Sequence, residues 1–214
     1  TEANVMEAAL IPDMEVYGFE NLSDVIGFLR GDIEKKPFVN NNILDEASFL
    51  DYDIDFKDVK GQFAARRAAE VAASGMHNFI MTGSPGSGKT MIARRMPSIL
   101  PSMTLKEALE TTKIHSVAGL IKDSGRLINK RPFVSPHHTS SNIAIIGGGA
   151  KAKPGNVSIA NSGILFLDEM LEFSRSVLEV LRQPLEDRFV TIARAGRTVT
   201  YPAKFMLVAA MNPC

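Results

Sequence analysis

Residues 83–90 read GSPGSGKT, a lysine and a threonine preceded by spaced glycines in the order G-x-x-x-x-G-K-[ST]. The order has a physical reason. Gly83, Gly86 and Gly88, with Ser84, Pro85 and Ser87 between them, let the backbone turn so that successive N–H groups converge on phosphate oxygens. Lys89 is then placed to reach the β- and γ-phosphates of a nucleotide, and Thr90 offers its hydroxyl to Mg²⁺. Such a loop needs an acidic partner on a neighbouring strand, and ILFLDE (164–169) supplies one. Asp168 suits the magnesium shell, through water, and Glu169 suits the polarisation of an attacking water. Asn212 closes a third apolar stretch, KFMLVAAMN, where a polar side chain can orient the water or touch the γ-phosphate. Guanine recognition would call for N-K-x-D. Asn129-Lys130 is followed by Arg131-Pro132 instead, so the expected ligands are ATP and Mg²⁺.

Elements must hold these groups. NFIMT (78–82) and GILFLDE (163–169) are short apolar runs suited to buried strands, as is KFMLVAAMN. QFAARRAAEVAAS (62–74) is alanine-rich and is followed by Gly75, which predicts a helix with its stop. A helix from the phosphate loop to about Met96 follows. Thr104 and Glu107 have capping-box spacing for a helix over roughly 105–115. Ser174 is placed to cap a helix reaching about Glu186, and Ser23 one reaching about Leu29. Residues 15–18 suggest a short strand, 31–58 a linker, and NIAII (142–146) a strand-like piece within a region rich in Gly, Pro and Ser. Apolar strands alternating with helices predict an α/β fold, a parallel sheet covered on both faces.

The chain has 214 residues, 45% of them hydrophobic and 22% charged, which fits a globular core with a smaller piece attached. No apolar run approaches the length of a membrane span, and no leader of charged then apolar residues opens the chain. The single cysteine, Cys214, leaves no internal disulfide, so a reducing, cytoplasmic setting is expected. Thr1 and the strand-like end at Cys214 suggest a piece of a longer protein. The net charge of zero conceals a split. Residues 1–58 carry 14 acidic and 4 basic side chains, leaving 10 acidic and 20 basic in residues 59–214. Charge alone leaves two readings open: two separately solvated surfaces, or a basic module that meets a polyanion.

The stretch RFVTIARAGRTVTYP (188–202) alternates about a small-residue turn at Ala195-Gly196, which predicts a hairpin with Arg194 opposite Arg197. Like charges so opposed repel, unless an anion lies between them. Alanine fits φ > 0 poorly, so a longer loop would splay the two arginines. His137-His138 invites a metal reading, but adjacent side chains in extended backbone point opposite ways, and a loop or interface role fits better. The ten methionines fit core filling, and Arg94-Arg95 fit surface charge.

Together DFKDVKGQ (55–62), GSPGSGKT, LFLDE and AAMN resemble an AAA+ ATPase. IHSVAG (114–119), RPFVSPHHTSSNIAIIGGG (131–149), KPGNVSIANSGILFLDEMLEFSRSVLEVLRQPLED (153–187) and YPAKFMLVAAMNPC (201–214) are similar to the magnesium-chelatase-related AAA+ proteins of the ComM/YifB type. The resemblance covers residues 55–214. Residues 1–54 resemble, more weakly, the tail of the family's Lon-protease-like N-terminal domain and a linker. The resemblance implies a P-loop AAA+ parallel sheet with two β-hairpin insertions, at about 131–160 and at 188–202. It places Val59, Gly61 and Gln62 by the adenine. It implies self-assembly into a ring, a hexamer in the expected form, driven by ATP, with no membrane involved. In the ComM branch it implies branch migration of DNA. The alternative is a magnesium-chelatase-like or MoxR-like protein-remodelling chaperone without nucleic acid. In a ring both hairpins would face the channel, where Arg131, Lys151 and Lys153 of the first and Arg188, Arg194 and Arg197 of the second would meet a phosphate backbone. The other reading pairs these arginines with acidic residues of a neighbouring subunit. Leu171 stands where the family has proline, which is expected to be neutral. The family pattern continues past Cys214 into a cysteine-rich segment, an arginine that acts on a neighbour's ATP, and a helical lid. That arginine is worth about 10³ to 10⁵ in rate, so residues 1–214 alone are expected to hydrolyse ATP poorly.

Overall fold

The computed structural model describes residues 2–9, 11, 14–39, 54–121, 127–149, 151–194 and 197–213. The expected linker falls partly outside them, as does the turn at Ala195-Gly196. In chain order the elements are α1 (Val5–Ala8), α2 (Leu22–Arg30), α3 (Phe63–Ser74), β1 (Phe79–Thr82), α4 (Lys89–Arg95) and α5 (Leu105–Ala118). Next come β2 (Phe133–Val134), α6 (Asn142–Ile146), β3 (Gly147–Gly148), β4 (Lys153–Pro154), α7 (Asn156–Ile159) and β5 (Ile164–Leu167). The last are α8 (Arg175–Val180), α9 (Arg182–Asp187), β6 (Phe189–Arg194), β7 (Arg197–Pro202) and β8 (Met206–Met211). Among them no helix is long and apolar enough to cross a membrane.

The central sheet is parallel, in the order β1-β8-β5-β2. All four residues of β5 are buried. Ile164 and Phe166 join one apolar cluster with Phe56, Ala69, Ile92, Met206 and Val208. Leu165 and Leu167 join another with Ile145, Val157, Val177, Leu181 and Phe205. Alternation along one strand therefore feeds two cores, the arrangement of a sheet covered on both faces. β1 departs from the expected buried strand. Among the described residues it pairs with β8 alone, and Ile80 is 52% exposed.

The approach of β5 to its neighbours depends on Gly163. A Cβ there would lie 2.1 Å from the carbonyl oxygen of Pro132, the atom that accepts the Ile164 N–H. Backbone must shift to admit it. Gly163→Ala should cost about 3 kcal/mol, as overpacking does, a fall of roughly 6–12 °C in Tm that thermal denaturation would read.

Several local signals read as expected. Thr104 and Glu107 form the reciprocal capping box of α5, and Gly119 ends the helix in left-handed backbone. Others differ. The cap of α2 is Asn21, whose side chain accepts from the Asp24 N–H, and not Ser23. Residues 15–18 contribute only an isolated bridge, Val16 to Phe38. NIAII is helix α6, capped by Ser141, and not a strand. The expected helix from Ser174 to Glu186 breaks at Leu181 into α8 and α9. Pro184 explains the break, since it has no N–H for the carbonyl of Val180 and its ring crowds that carbonyl.

The two insertions differ in size. Residues 133–134 belong to the central sheet, and the first insertion reduces to α6, the two-residue pair β3 and β4, and α7. The second is the antiparallel hairpin of β6 and β7, six residues a side, with Arg194 directly opposite Arg197 in register.

Candidate functional site

The parallel strands end on one edge, and the chemistry-bearing residues follow those ends. Gly83 follows β1, Asp168 follows β5 and Asn212 follows β8. Between β1 and α4 the loop turns through Gly86 (φ 76°) and Gly88 (φ 86°), a left-handed backbone open to glycine. The Gly83 N–H donates to Met211 O at 3.3 Å and ties the loop to β8. The result is a cavity of about 350 Å³ lined by Pro85 to Met91, Asp168, Glu169 and Asn212, within the usual range of ligand sites.

Lys89 is fixed from four directions. Its ammonium donates to Gly83 O at 2.7 Å, Ser84 O at 2.9 Å, Ser87 Oγ at 3.4 Å and Asn212 Oδ1 at 3.0 Å. The last contact joins residues 123 positions apart and couples the loop to the third strand end. Thr90 Oγ1 donates to Asp168 Oδ2 at 2.8 Å, so a hydroxyl and a carboxylate oxygen stand side by side. Magnesium commonly takes one or two carboxylates and keeps phosphate oxygens and water for the rest. This oxygen pair suits it without a larger ligand set. Indeed, among the described residues no group of three or more His, Cys, Asp or Glu could hold a metal.

Glu169 is exposed on the cavity wall. Its backbone is left-handed, φ 50° and ψ 50°, a conformation that costs a non-glycine residue about 1 kcal/mol or more. Its N–H donates to Asp168 Oδ1 at 3.1 Å. The bend turns the chain between the two carboxylates, so Asp168 points to Thr90 while the Glu169 carboxylate has no protein partner among the described residues.

Of the three residues placed by the adenine, Gln62 reaches the loop. It is left-handed at φ 48°, and its Nε2 donates to Ser87 O. Gly61 turns at φ 68°. Val59 is fully buried in the core cluster behind them.

The basic candidates separate. Arg131 is corrected: it is only 6% exposed and is no surface cation. Its guanidinium donates to Pro101 O (2.5 Å), Ser162 O (2.6 Å) and Ser102 O (3.1 Å), and to both carboxylate oxygens of Glu107 at 3.3 and 3.4 Å. Nothing in its sequence context distinguished it from the exposed cations nearby. Lys151 and Lys153 are exposed. Arg188 is exposed with left-handed backbone, and its Nη1 donates to Phe205 O at 3.1 Å. The histidine pair departs from expectation: a turn at 138–139 sets the two rings side by side, 4.1 Å apart, where extended backbone would point them opposite ways, and His137 Nδ1 sits 2.8 Å from Thr139 Oγ1.

One feature escaped sequence reasoning. Tyr201 in β7 donates its hydroxyl to Ala152 O at 2.9 Å, and a Cβ on Gly147 would lie 2.7 Å from Ile192 Cδ1. The base of the large hairpin is therefore seated on the small one.

A glycine-rich loop, an Asp-Glu pair and a polar strand end, converging on one edge of this parallel sheet, give the chain the α/β fold of the AAA+ class. Residues 55–214 match the family of magnesium chelatase, subunit ChlI, and the chain belongs to that family, on its ComM/YifB side. It is 45% identical over 214 residues to competence protein ComM of Haemophilus influenzae, covering 98% of this chain and 41% of that protein. It is 40% identical over 210 residues to YifB of Salmonella typhimurium, covering 98% and 40%. The chain thus spans about two fifths of the length of these relatives. Among solved structures, the complex of subunits BchI and BchD of magnesium chelatase matches with a TM-score of 0.56 at 24% identity, over 75% of this chain and 55% of that one. NtrX from Brucella abortus in complex with ATP matches with a TM-score of 0.50 at 19% identity, over 73% and 32%. Both likenesses concern the fold.

Proposed function

We propose that this chain is the nucleotide-binding core of a ring-forming AAA+ motor that hydrolyses ATP and acts on DNA. The observation that carries the ATPase part is the contact set of Lys89 with Asn212 and of Thr90 with Asp168, with Glu169 left unengaged beside them. Lys89 holds its charge where the β- and γ-phosphates would lie. Thr90 and Asp168 offer the oxygens for magnesium, which when bound neutralises phosphate charge. Asn212 orients Lys89 or the attacking water, and Glu169 accepts the proton of that water. The loop N–H groups bind the phosphates.

The DNA part is supported by the excess of ten positive charges in residues 59–214, by exposed Lys151, Lys153 and Arg188, and by the opposed Arg194 and Arg197 in a hairpin. ATP turnover by the full-length protein should rise in the presence of single-stranded or branched DNA, with binding that weakens steeply with salt. Absence of both stimulation and salt-sensitive binding would refute the DNA reading. It would favour instead a magnesium-chelatase-like role without nucleic acid, in keeping with the family match.

A further inference from the structure

A second cavity lies on the opposite edge of the central sheet, where β1, β5 and β8 begin. It measures about 360 Å³ and is lined by Lys106, Arg188 and Lys204, with Glu107 and Glu110, among others. The three cations come from three separate places: the first turn of α5, the end of α9, and the approach to β8. Arg188 stands at the foot of the β6–β7 hairpin, and its carbonyl accepts the Ala203 N–H across that foot.

The charges of this cavity do not cancel. Glu107 is already committed: its carboxylate accepts from Arg131 and from the N–H and hydroxyl of Thr104. Burial pushes the Glu107 carboxyl up, but the hydrogen bonds from Thr104 and Arg131 outweigh it and hold the group below the usual range. Among the described residues Lys106, Lys204, Arg188 and Glu110 take part in no ion pair within 4.0 Å. Three unpaired cations against one uncommitted carboxylate leave a positive cavity.

Backbone strain falls on the same place. Among the described residues, six that are not glycine have left-handed φ: Gln62, Met76, Ala152, Ser162, Glu169 and Arg188. Gln62 and Glu169 belong to the nucleotide site. Met76 (51°), Ser162 (60°) and Arg188 (64°) all line this second cavity. Strained non-glycine residues concentrate at ligand clamps, and here they divide between the nucleotide site and this pocket, Ala152 alone excepted.

We propose that this pocket is a phosphate site, formed by Lys106, Arg188 and Lys204, which takes one backbone phosphate of a nucleic acid strand lying along the β6–β7 hairpin. The proposal rests on the DNA reading above and gives it a fixed point of contact. A lysine–arginine cluster at the foot of a hairpin sets where the strand enters, while Arg194 and Arg197 lie at the far end of the same two strands.

The test measures binding of a single-stranded oligonucleotide to the full-length protein across a salt series. It compares the natural protein with Lys106→Gln/Lys204→Gln and with Lys35→Gln/Lys36→Gln, which removes the same charge elsewhere. Both pocket lysines are exposed, and nucleotide affinity monitors folding. Loss of one phosphate contact lowers the slope of log K against log salt by about 0.7 for single strands. That corresponds to about fivefold weaker binding at 0.1 M salt, expected for the pocket variant and not for the control. Arg188→Lys, which keeps the charge, should bind nearly as the natural protein does. Equal effects of the two double variants, or no effect of the pocket variant, would overturn the pocket while leaving the DNA reading standing. No DNA binding by the natural protein would overturn both.

Discussion

Replacing Glu169 by glutamine should leave nucleotide binding intact and reduce ATP turnover by about 10² to 10⁴, the usual contribution of a positioned general base. The geometry separates the two acidic residues. Asp168 is engaged by Thr90 Oγ1 and by the Glu169 N–H, which is why the proposed function gives its carboxylate to magnesium and not to proton transfer. Glu169 lines the same cavity with no such tie. Glutamine keeps its size and loses only the capacity to accept a proton. Lys89→Ala should behave in the opposite way. Its ammonium is the one charge held against Gly83 O, Ser84 O and Asn212 Oδ1, and charge-assisted hydrogen bonds contribute about 1.5–3 kcal/mol each. Affinity for nucleotide should fall at least 10- to 100-fold. Titration with a fluorescent nucleotide and phosphate release, both on the assembled full-length protein, give the two readings. The assembled full-length protein is used because the family resemblance implies an arginine supplied by a neighbour, and such an arginine is worth about 10³ to 10⁵ in rate where it acts. Normal turnover by Glu169→Gln would remove the proton-accepting role from Glu169.

Much of this site was legible because its information is local. GSPGSGKT, LDE and the asparagine after VAAM each carry their chemistry within a few residues, and the apolar runs before them allow one geometry, adjacent parallel strands ending on one edge. The contacts Lys89–Asn212 and Thr90–Asp168 follow from that edge. What was illegible depends on distant partners. NIAII alternates too briefly to distinguish periods of 2 and 3.6, and the cap on Ser141 with burial of Ile145 decided for helix. The cavity proposed above to take a phosphate joins residues 106, 188 and 204, a set that no spacing rule connects. Arg194 facing Arg197 was foreseen from alternation and holds in register, because a hairpin fixes its own pairing once its length is known.

Arg131→Met should destabilise the fold by about 3–5 kcal/mol, because the three carbonyls its buried guanidinium serves would be left unsatisfied at about 1–3 kcal/mol each, and should leave DNA affinity unchanged. Sequence grouped this arginine with the exposed cations because it opens the segment that leads to the first insertion. Its position explains the different outcome. Pro101 and Ser102 precede α5, and Ser162 precedes β5. These are chain segments whose carbonyls have no ladder to accept from, and one guanidinium, with five donors in a rigid plane, satisfies carbonyls from both segments and the Glu107 carboxylate together. Methionine matches the length and none of the donors. Three carbonyl oxygens would be left short of a partner, and Glu107 would keep only its bonds to Thr104. Lysine keeps the charge but has no planar fork, so Arg131→Lys should recover only part of the loss. Thermal denaturation would show the difference, since 3–5 kcal/mol corresponds to a fall of at least roughly 6 °C in Tm at this chain length. A stable Arg131→Met protein with weakened DNA binding would return Arg131 to the basic surface and contradict its burial.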